Sequence, residues 1–423
     1  MTQSGTPLRR VLGVHDAVIV GLGSMIGAGV FAALGPAARA AGTGVLYALV
    51  VAAVVAYCNA MSSARLAALY PVSGGTYVYG RERLGAFWGY LAGWAFVVGK
   101  TASCAAMALT VGTYVWPEQA HAVAVAAVVA LTAVNCFGVE KSAWVTRGVV
   151  AVVLAVLAAV VVVCTGSGSA EVGRLAPGLS EGVSGVLSGA GLLFFAFAGY
   201  ARVATLGEEV VDPARTIPRA IPMALGITLV VYAAVGAAAV TVLGVDGLAR
   251  ASAPLADAVR ATGGDGFVPV VRVGAAVAAL GSLLALILGV SRTTLAMARD
   301  RHLPGALAVV QPRFQVPRRA ELTVGAVVAV VAAFGDVRGA IGFSSFGVLV
   351  YYAIANASAW TLSSAVRARA VPALGVVGCL ALAFSLPGSS VLTGAGVLAL
   401  GALAYAVRLR ARGAHDRTDD GRA

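Results

Sequence analysis

Charge is what this sequence has least of. Only 11% of its 423 residues are charged, 60% are hydrophobic, and the mean hydropathy is +0.91. A soluble domain carries about 25% charged residues, so this composition excludes a water-soluble protein. Apolar runs of about 20 residues, the length that crosses a bilayer, recur along the chain. We predict an all-α polytopic membrane protein with twelve transmembrane helices, at residues 14–38, 44–69, 85–115, 121–139, 146–166, 184–207, 219–244, 268–297, 321–335, 340–364, 371–387 and 391–409.

Metal-ligating and disulfide-forming residues are also scarce. The five cysteines lie in or at the ends of apolar runs without paired spacing, and the four histidines are scattered. We expect no disulfide, metal site or cofactor, and interpret the cysteines as small buried hydrophobes. The runs contain no H-E-x-x-H, C-x-x-C or G-x-S-x-G motif beside a base, which argues against a membrane enzyme. They also lack a charged ring or carbonyl-filter repeat, which argues against a channel.

The positive charge is unevenly distributed along the chain. The net charge is +12, and most of the 30 lysines and arginines fall in the tails and in loops on the same side as the N-terminus. This bias follows the positive-inside rule and predicts that both termini are cytoplasmic, in the plasma (inner) membrane. The excess charge therefore indicates topology and a lipid environment, and no nucleic-acid partner is expected. Residues 13–409 form a single transmembrane domain between the polar tails 1–12 and 410–423.

Glycine is abundant where a helix tolerates it least. Residues 21–29 read GLGSMIGAG, inside the first apolar run, and each glycine costs a helix about 1 kcal/mol relative to alanine. A dinucleotide-binding turn is excluded, because Ile26 replaces the third glycine of G-x-G-x-x-G and no acidic residue follows before Glu82. Close helix packing through Gly23 and Gly27 is one explanation. An unwound helix that exposes backbone amides and carbonyls to a ligand is the other.

The sixth apolar run contains a second interruption. Its sequence GAGLLFFAFAGYARVATLGEE, at 189–209, combines glycines, aromatic residues and an arginine. It begins five runs after the first interrupted one. Paired interruptions of this kind are typical of inverted repeats around a central binding site. We predict one repeat at about 14–166, a second at about 184–364, and two additional helices at about 371–409.

Four motifs carry a resemblance to a known family. GLGSMIGAGVF resembles the first-helix signature of the amino acid–polyamine–organocation permeases, and FFAFAGYARVATLGEEVVDPARTIPRAIP at 194–222 resembles their sixth helix and the loop after it. YPVSGGTYVYGRERLGAFWGYLAGW at 70–94 and RTTLAMARDRHLP at 292–304 are similar to two further family segments. The resemblance implies an amino acid transporter that works by alternating access, with five-plus-five inverted repeats and broken helices 1 and 6.

The resemblance also implies a substrate site. It assigns the substrate's α-carboxylate to the backbone amides around Gly27, Ala28 and Gly29. It assigns the α-amino group to the carbonyls of Met25, Phe195 and Ala198, with Phe195 as the occluding aromatic residue. The expected substrate-binding residues on the two segments are Ser24, Met25, Ile26, Gly27, Ala28, Gly29, Phe195, Phe197, Ala198 and Tyr200.

Charged residues within the runs are candidates for gating or coupling. Lys100 lies about fifteen residues from either end of its run, where a charged ammonium is costly unless it is paired or solvated. It is either a functional residue, as a cation-site surrogate, a proton carrier or a substrate contact, or a structural lysine bonded to carbonyls of a broken helix. Some family members carry a helix-five lysine in place of a sodium ion, but Val153 occupies that position here. The other candidates are Arg202, Glu208 and Glu209.

The substrate prediction rests on missing carboxylates. Apart from Asp16, Glu208 and Glu209, we expect the runs to offer essentially none, so a cationic side chain would lack a counter-charge. A neutral α-amino acid, moved by proton symport or exchange, is therefore predicted. A basic amino acid or polyamine antiporter, and a permease for another small amine or a nucleobase, are the alternatives. The sequence does not determine the oligomeric state.

Overall fold

The protein folds as a bundle of α-helices. The computed structural model describes residues 12–70, 74–138, 143–176, 178–200, 203, 210–311, 314 and 316–419, and no strand is assigned within these ranges. The helices are α1 Val14–Met25, α2 Ala28–Ala32, α3 Leu34–Ala41, α4 Val45–Leu69, α5 Thr76–Leu84, α6 Ala86–Val115, α7 Ala120–Cys136, α8 Ala143–Gly166, α9 Gly182–Phe197, α10 Pro213–Arg250, α11 Pro254–Ala261, α12 Val268–Arg299, α13 Arg318–Phe334, α14 Val337–Trp360, α15 Val366–Ser385 and α16 Gly388–Asp419.

The predicted all-α membrane architecture is confirmed. Ten helical stretches in the described ranges are long and apolar enough to cross a bilayer. The sixth and ninth predicted runs correspond to α9 and α13, which have only 16 and 17 residues, slightly fewer than the ~20 of a full span. The number twelve and the repeat boundaries therefore stay predictions.

Burial separates central helices from peripheral ones. The most apolar window of α14 is 83% buried and that of α6 is 72% buried, whereas the corresponding window of α16 is only 17% buried. The exposed residues of the outer helices are themselves apolar, for example Val377, Leu392 and Leu400. In a bilayer, such surfaces face lipid. The bundle core thus lies around α6 and α14, against which the interrupted segments pack.

The end of the bundle where α1 begins and α16 ends, called here the terminal end, is tied by contacts between distant segments. Leu12, just before α1, pairs with the segment after α9 through a hydrogen bond from the Val211 amide. Asp16 forms an ion pair with Arg147 of α8. Asp300 accepts hydrogen bonds from Tyr77 at 2.5 Å and Arg81 at 3.0 Å. The contacts join parts of the chain that are separated by up to 223 residues.

The opposite end is more open. A cavity of about 490 Å³ lies there beside α3 and α6. Short α11 packs nearby with its apolar face fully buried, and the Leu255 amide donates to the Tyr114 hydroxyl at 3.4 Å. Tyr114 in turn donates to the Phe31 carbonyl at 2.9 Å. At the opposite end, α11 therefore partly covers α2, and the cavity lies next to it.

Candidate functional site

The first apolar run is broken at its glycine-rich centre. Helix α1 ends at Met25 and α2 begins at Ala28. Between them, Ile26 has a ψ of 71° and Gly27 a ψ of −143°, so neither residue is helical. The next helical segment continues through Ala33, whose dihedral angles are helical, into α3. Of the two explanations for the glycines, the structure supports the unwound helix, although close packing contributes as well.

The sixth run also stops within the bundle. Helix α9 ends at Phe197, and residues 198–200 form a turn. All of its residues from Gly189 to Phe197 are buried, so the helix end lies inside protein. Because the last turn of a helix leaves carbonyls without intrahelical partners, this end presents hydrogen-bond acceptors in a buried place.

The two interruptions lie directly against each other. A Cβ atom at Gly199 would lie 2.0 Å from the Ser24 carbonyl oxygen, and one at Gly29 would lie 2.5 Å from the Ala196 Cα. Real Cβ atoms do not approach backbone atoms this closely, so only glycine fits at both positions. The glycines thus permit the broken segments to touch backbone to backbone. Amides of one segment and carbonyls of the other are thereby brought together.

Two side chains from other helices complete the site, and the sequence analysis missed both. The Tyr232 hydroxyl of α10 lies 2.6 Å from the Met25 carbonyl and 3.1 Å from the Ala196 carbonyl, so it bridges the two segments. Ser282 of α12 faces Gly27, where an added Cβ would lie 2.1 Å from its Oγ. Both runs contain several hydroxyl-bearing residues, so the sequence carried no signal that singled out Tyr232 and Ser282.

Lys100 reaches the second interruption. Its side chain is buried within α6, with the residue only 7% exposed, and its Nζ donates to the Ala198 carbonyl at 3.2 Å. No carboxylate of a described residue forms an ion pair with it. The ammonium therefore lies on the carbonyl that the family resemblance assigns to the substrate's amino group.

The other predicted site residues fall into three groups. Met25, Ile26, Ala28 and Phe195 are buried at the two interruptions, while the Ser24 hydroxyl donates to the Val20 carbonyl of its own helix at 2.9 Å. The ring centroid of Phe197 lies 5.2 Å from that of Tyr232, which bridges the two segments, and the ring centroid of Tyr200 lies 5.0 Å from that of Tyr352. Arg202, Glu208 and Glu209 lie outside the described residues.

The apolar runs hold one carboxylate more than expected. Glu321, the first residue of the ninth apolar run, adds a carboxylate that the sequence analysis overlooked, and it is fully buried in the first turn of α13. The five cysteines are buried, as predicted. The described residues contain no group of three or more His, Cys, Asp or Glu side chains that could hold a metal ion.

Comparison with known proteins decides the family. The family model for amino acid permeases matches residues 16–413. The chain belongs to the amino acid permease family. The permease is 72% identical over 403 residues to an uncharacterized transporter of Mycobacterium tuberculosis, covering 95% of this chain and 92% of that protein. It is 31% identical to the chloroplastic cationic amino acid transporter 7 of Arabidopsis thaliana, over 84% of this chain and 66% of that one. The branched-chain amino acid permease BcaP of Bacillus subtilis is 26% identical, over 75% and 73%.

These similarities confirm the resemblance drawn from the four motifs. The permease is a multi-pass membrane transporter rather than a soluble protein, since both the family and the many apolar helices indicate it. Two of these relatives are named for different kinds of amino acid, one cationic and the other branched-chain.

Proposed function

We propose that the permease carries neutral α-amino acids across the plasma membrane by alternating access, and binds them between the two helix interruptions. The observation that carries this proposal is the direct contact of the broken segments, in which Gly29 meets Ala196 and Gly199 meets Ser24. A carrier needs a site that can be reached from either side in turn. A pair of broken helices at the centre of the bundle supplies both a binding surface and two places where the chain can bend.

The amide side of the site suits a carboxylate. The helical segment that begins at Ala28 points its N-terminal end at the interruption, and the first amides of a helix have no intrahelical acceptor. Together with the helix dipole, these amides favour a negative group. The α-carboxylate is the negative group that every amino acid shares, so the proposed contact is independent of the side chain.

The carbonyl side suits an ammonium group. Lys100 Nζ already lies 3.2 Å from the Ala198 carbonyl, which supports the view that this oxygen accepts a cationic donor. In the proposed complex, the substrate's α-amino group takes this carbonyl and Lys100 moves away from it. Lys100 then combines the two roles considered from the sequence: it satisfies a buried carbonyl in one state and responds to substrate in another.

The charge near the interruptions favours a neutral side chain. Lys100 would repel a second cation, and two unit charges 4 Å apart interact by about 4 kcal/mol at an effective dielectric constant near 20. The described side chains at the interruptions are apolar or small, among them Ile26, Ala28 and Phe195. The relative named for branched-chain amino acids fits this proposal, and the one named for cationic amino acids represents the alternative.

Competition in reconstituted vesicles tests the proposal. Purified permease in liposomes preloaded with unlabelled alanine should accumulate labelled alanine by counterflow, which separates a carrier from a channel or an enzyme. Excess leucine or serine should inhibit this uptake more strongly than excess arginine or lysine. Stronger inhibition by the basic amino acids would overturn the neutral assignment and favour the basic amino acid alternative. The absence of counterflow with any amino acid in the panel would contradict the carrier itself.

Coupling and orientation form the second part of the proposal. The arginine-rich terminal end faces the cytoplasm, in agreement with the positive-inside rule. Proton symport and amino acid exchange differ in one observable: only symport responds to a pH gradient in the absence of internal substrate. The same vesicles, formed with and without such a gradient, distinguish them.

A further inference from the structure

A buried carboxylate lies apart from the two interruptions. Glu321 is in the first turn of α13, and it is 0% exposed although its neighbours Arg318 and Arg319 are exposed. Neither of its carboxylate oxygens receives a hydrogen bond of normal geometry from a described residue. Acidic side chains are almost never fully buried unless they are paired. A carboxylate within a membrane domain is costly and indicates a functional site.

The surroundings of Glu321 are polar but only partly engaged. Ser291 of α12 and Asn135 of α7 lie beside the carboxylate, and each donates to a backbone carbonyl, of Ile287 at 2.8 Å and of Leu284 at 3.1 Å respectively. The buried hydroxyls of Thr132 and Thr294, on the same two helices, have no hydrogen-bond partner among the described residues. The helices that pack around Glu321 therefore carry two hydroxyl groups without a partner among the described residues. Each of these hydroxyls can both donate and accept a hydrogen bond.

The titratable and charged groups near Glu321 come from every long helix packed against α13. They are Cys104 of α6, Cys136 of α7, Arg292 of α12 and, on α13 itself, Arg318. Cys104 lies one helical turn from Lys100 on α6, and both Lys100 and Glu321 lie near it. One face of α6 thus extends from the neighbourhood of the Glu321 carboxylate to Lys100, which donates to the Ala198 carbonyl.

We propose that Glu321 binds and releases one proton in each transport cycle, and so couples proton movement to substrate movement. The proton is taken up from water at the opposite end together with substrate and is released to water at the terminal end. While bound to a carboxylate oxygen, it converts an acceptor-only group into a neutral acid with one O–H donor. The neutral form suits the packed arrangement, because no ion pair between described residues includes Glu321 and a buried charge is costly unless it is paired. The ionised form requires water or Arg292 to approach. Alternation between these two arrangements links protonation to helix packing.

The experiment uses the full-length permease in liposomes and rests on the proposed function, which the counterflow assay tests separately. Glu321→Gln mimics the protonated acid permanently, Glu321→Asp retains a titratable group, and Glu118→Gln removes an exposed carboxylate at the opposite end as the control. We expect Glu321→Gln to lose the stimulation of uptake by a pH gradient while counterflow stays measurable. Glu321→Asp should retain the stimulation, and Glu118→Gln should behave as the unmodified protein.

Three results would overturn the proposal. One is a wild-type permease whose counterflow is normal but whose uptake ignores a pH gradient. The second is a Glu321→Gln variant with a wild-type pH response. The third is loss of a sodium-gradient response in Glu321→Gln, which would assign the carboxylate to a metal cation instead.

An infrared measurement keeps the proposal testable even when the variant transports poorly. The carbonyl stretch of a protonated carboxylic acid should change as substrate is added to the wild-type protein and should be absent from Glu321→Gln. A substrate-induced carboxylic acid band that persists in Glu321→Gln would also contradict the assignment.

Discussion

The centre of the bundle and its terminal end are held by different kinds of contact. At the centre, the broken segments touch through glycines, with a hypothetical Cβ of Gly199 only 2.0 Å from a backbone oxygen. At the terminal end, distant segments meet through side chains, such as Arg81 and Asp300, whose side chains are each 40% exposed. Backbone atoms of packed segments cannot move aside, whereas exposed side chains separate at a cost of about 0–1 kcal/mol per ion pair. The contact between the two broken segments is therefore suited to stay fixed while the chain bends beside it, and the terminal end is suited to a contact that opens repeatedly.

The largest effect is expected from adding a side chain at the centre. Gly27→Ala would place a Cβ 2.1 Å from Ser282 Oγ and 3.1 Å from its Cβ. Overpacking of this kind costs roughly 1–3 kcal/mol and displaces the backbone. We expect counterflow to be lost, and the bulkier Gly27→Val to behave in the same way. The measurement is counterflow in liposomes, with the thermal stability of the purified variant recorded in parallel.

Removal of the obstructing atom sharpens this prediction. The double variant Gly27→Ala/Ser282→Ala lacks the Oγ at 2.1 Å, so part of the counterflow should return. Gly289→Ala is the matched control, because Gly289 lies in the same helix as Ser282 and an added Cβ there meets nothing within 4 Å. Normal transport by Gly27→Ala would show that the amides at this interruption do not contact substrate.

A smaller effect is expected at Lys100, which belongs to the centre but acts through a side chain. Lys100→Met keeps the length of the chain and removes the donor to the Ala198 carbonyl. A hydrogen bond to a charged group contributes about 1.5–3 kcal/mol, so substrate binding should become about tenfold tighter once the lysine no longer competes. Equilibrium binding of labelled alanine measures this change. Lys100→Arg, which keeps a cation, should not show the gain. Weaker binding by Lys100→Met would instead make the lysine a structural residue or a direct substrate contact.

The sequence predicted which segments are helical and where a helix breaks better than it predicted which side chains of other helices pack at the breaks. The glycines and the apolar context predicted a break near Gly27, because glycine disfavours the helix and unwound backbone within a bilayer is tolerated where it lines a cavity, with close helix packing as the alternative explanation. They did not predict Tyr232 or Ser282, since hydropathy shows that a helix is buried but not which helix it faces. The role of Tyr200 at the substrate stays a prediction; its ring lies 5.0 Å from that of Tyr352, a contact that hydropathy could not predict either.

Glu321 shows that the sequence did not predict the burial of a charged residue near a helix end. It stands beside two arginines at the start of an apolar run, which is also the pattern of an exposed helix N-terminus. Only the packing of α6, α7 and α12 around it makes it buried. The charge pattern along a chain therefore predicts which side of the membrane a loop occupies more reliably than it predicts the burial of a single charged residue near a helix end.

The smallest effect is expected at the terminal end. Asp300 accepts from both Tyr77 and Arg81, and Asp300→Asn removes the charge that both donors share. Burial and the hydrogen bond to Asp300 raise the pKa of the Tyr77 hydroxyl, so Tyr77 stays a protonated donor around neutral pH and the effect should not depend on pH there. A loss of about 1 kcal/mol changes an equilibrium constant roughly fivefold, and we expect this change to favour opening of the terminal end.

The labelling rate of a cysteine introduced at Ser24, in a variant without the native cysteines, reports that opening to a reagent applied from the terminal side. Glu171→Gln, which breaks a local ion pair with Arg174 far from the terminal end, should leave the rate unchanged. Equal labelling in Asp300→Asn and Glu171→Gln would mean that the contacts at the terminal end do not control access, and the distinction between a fixed centre and a releasable end would then fail.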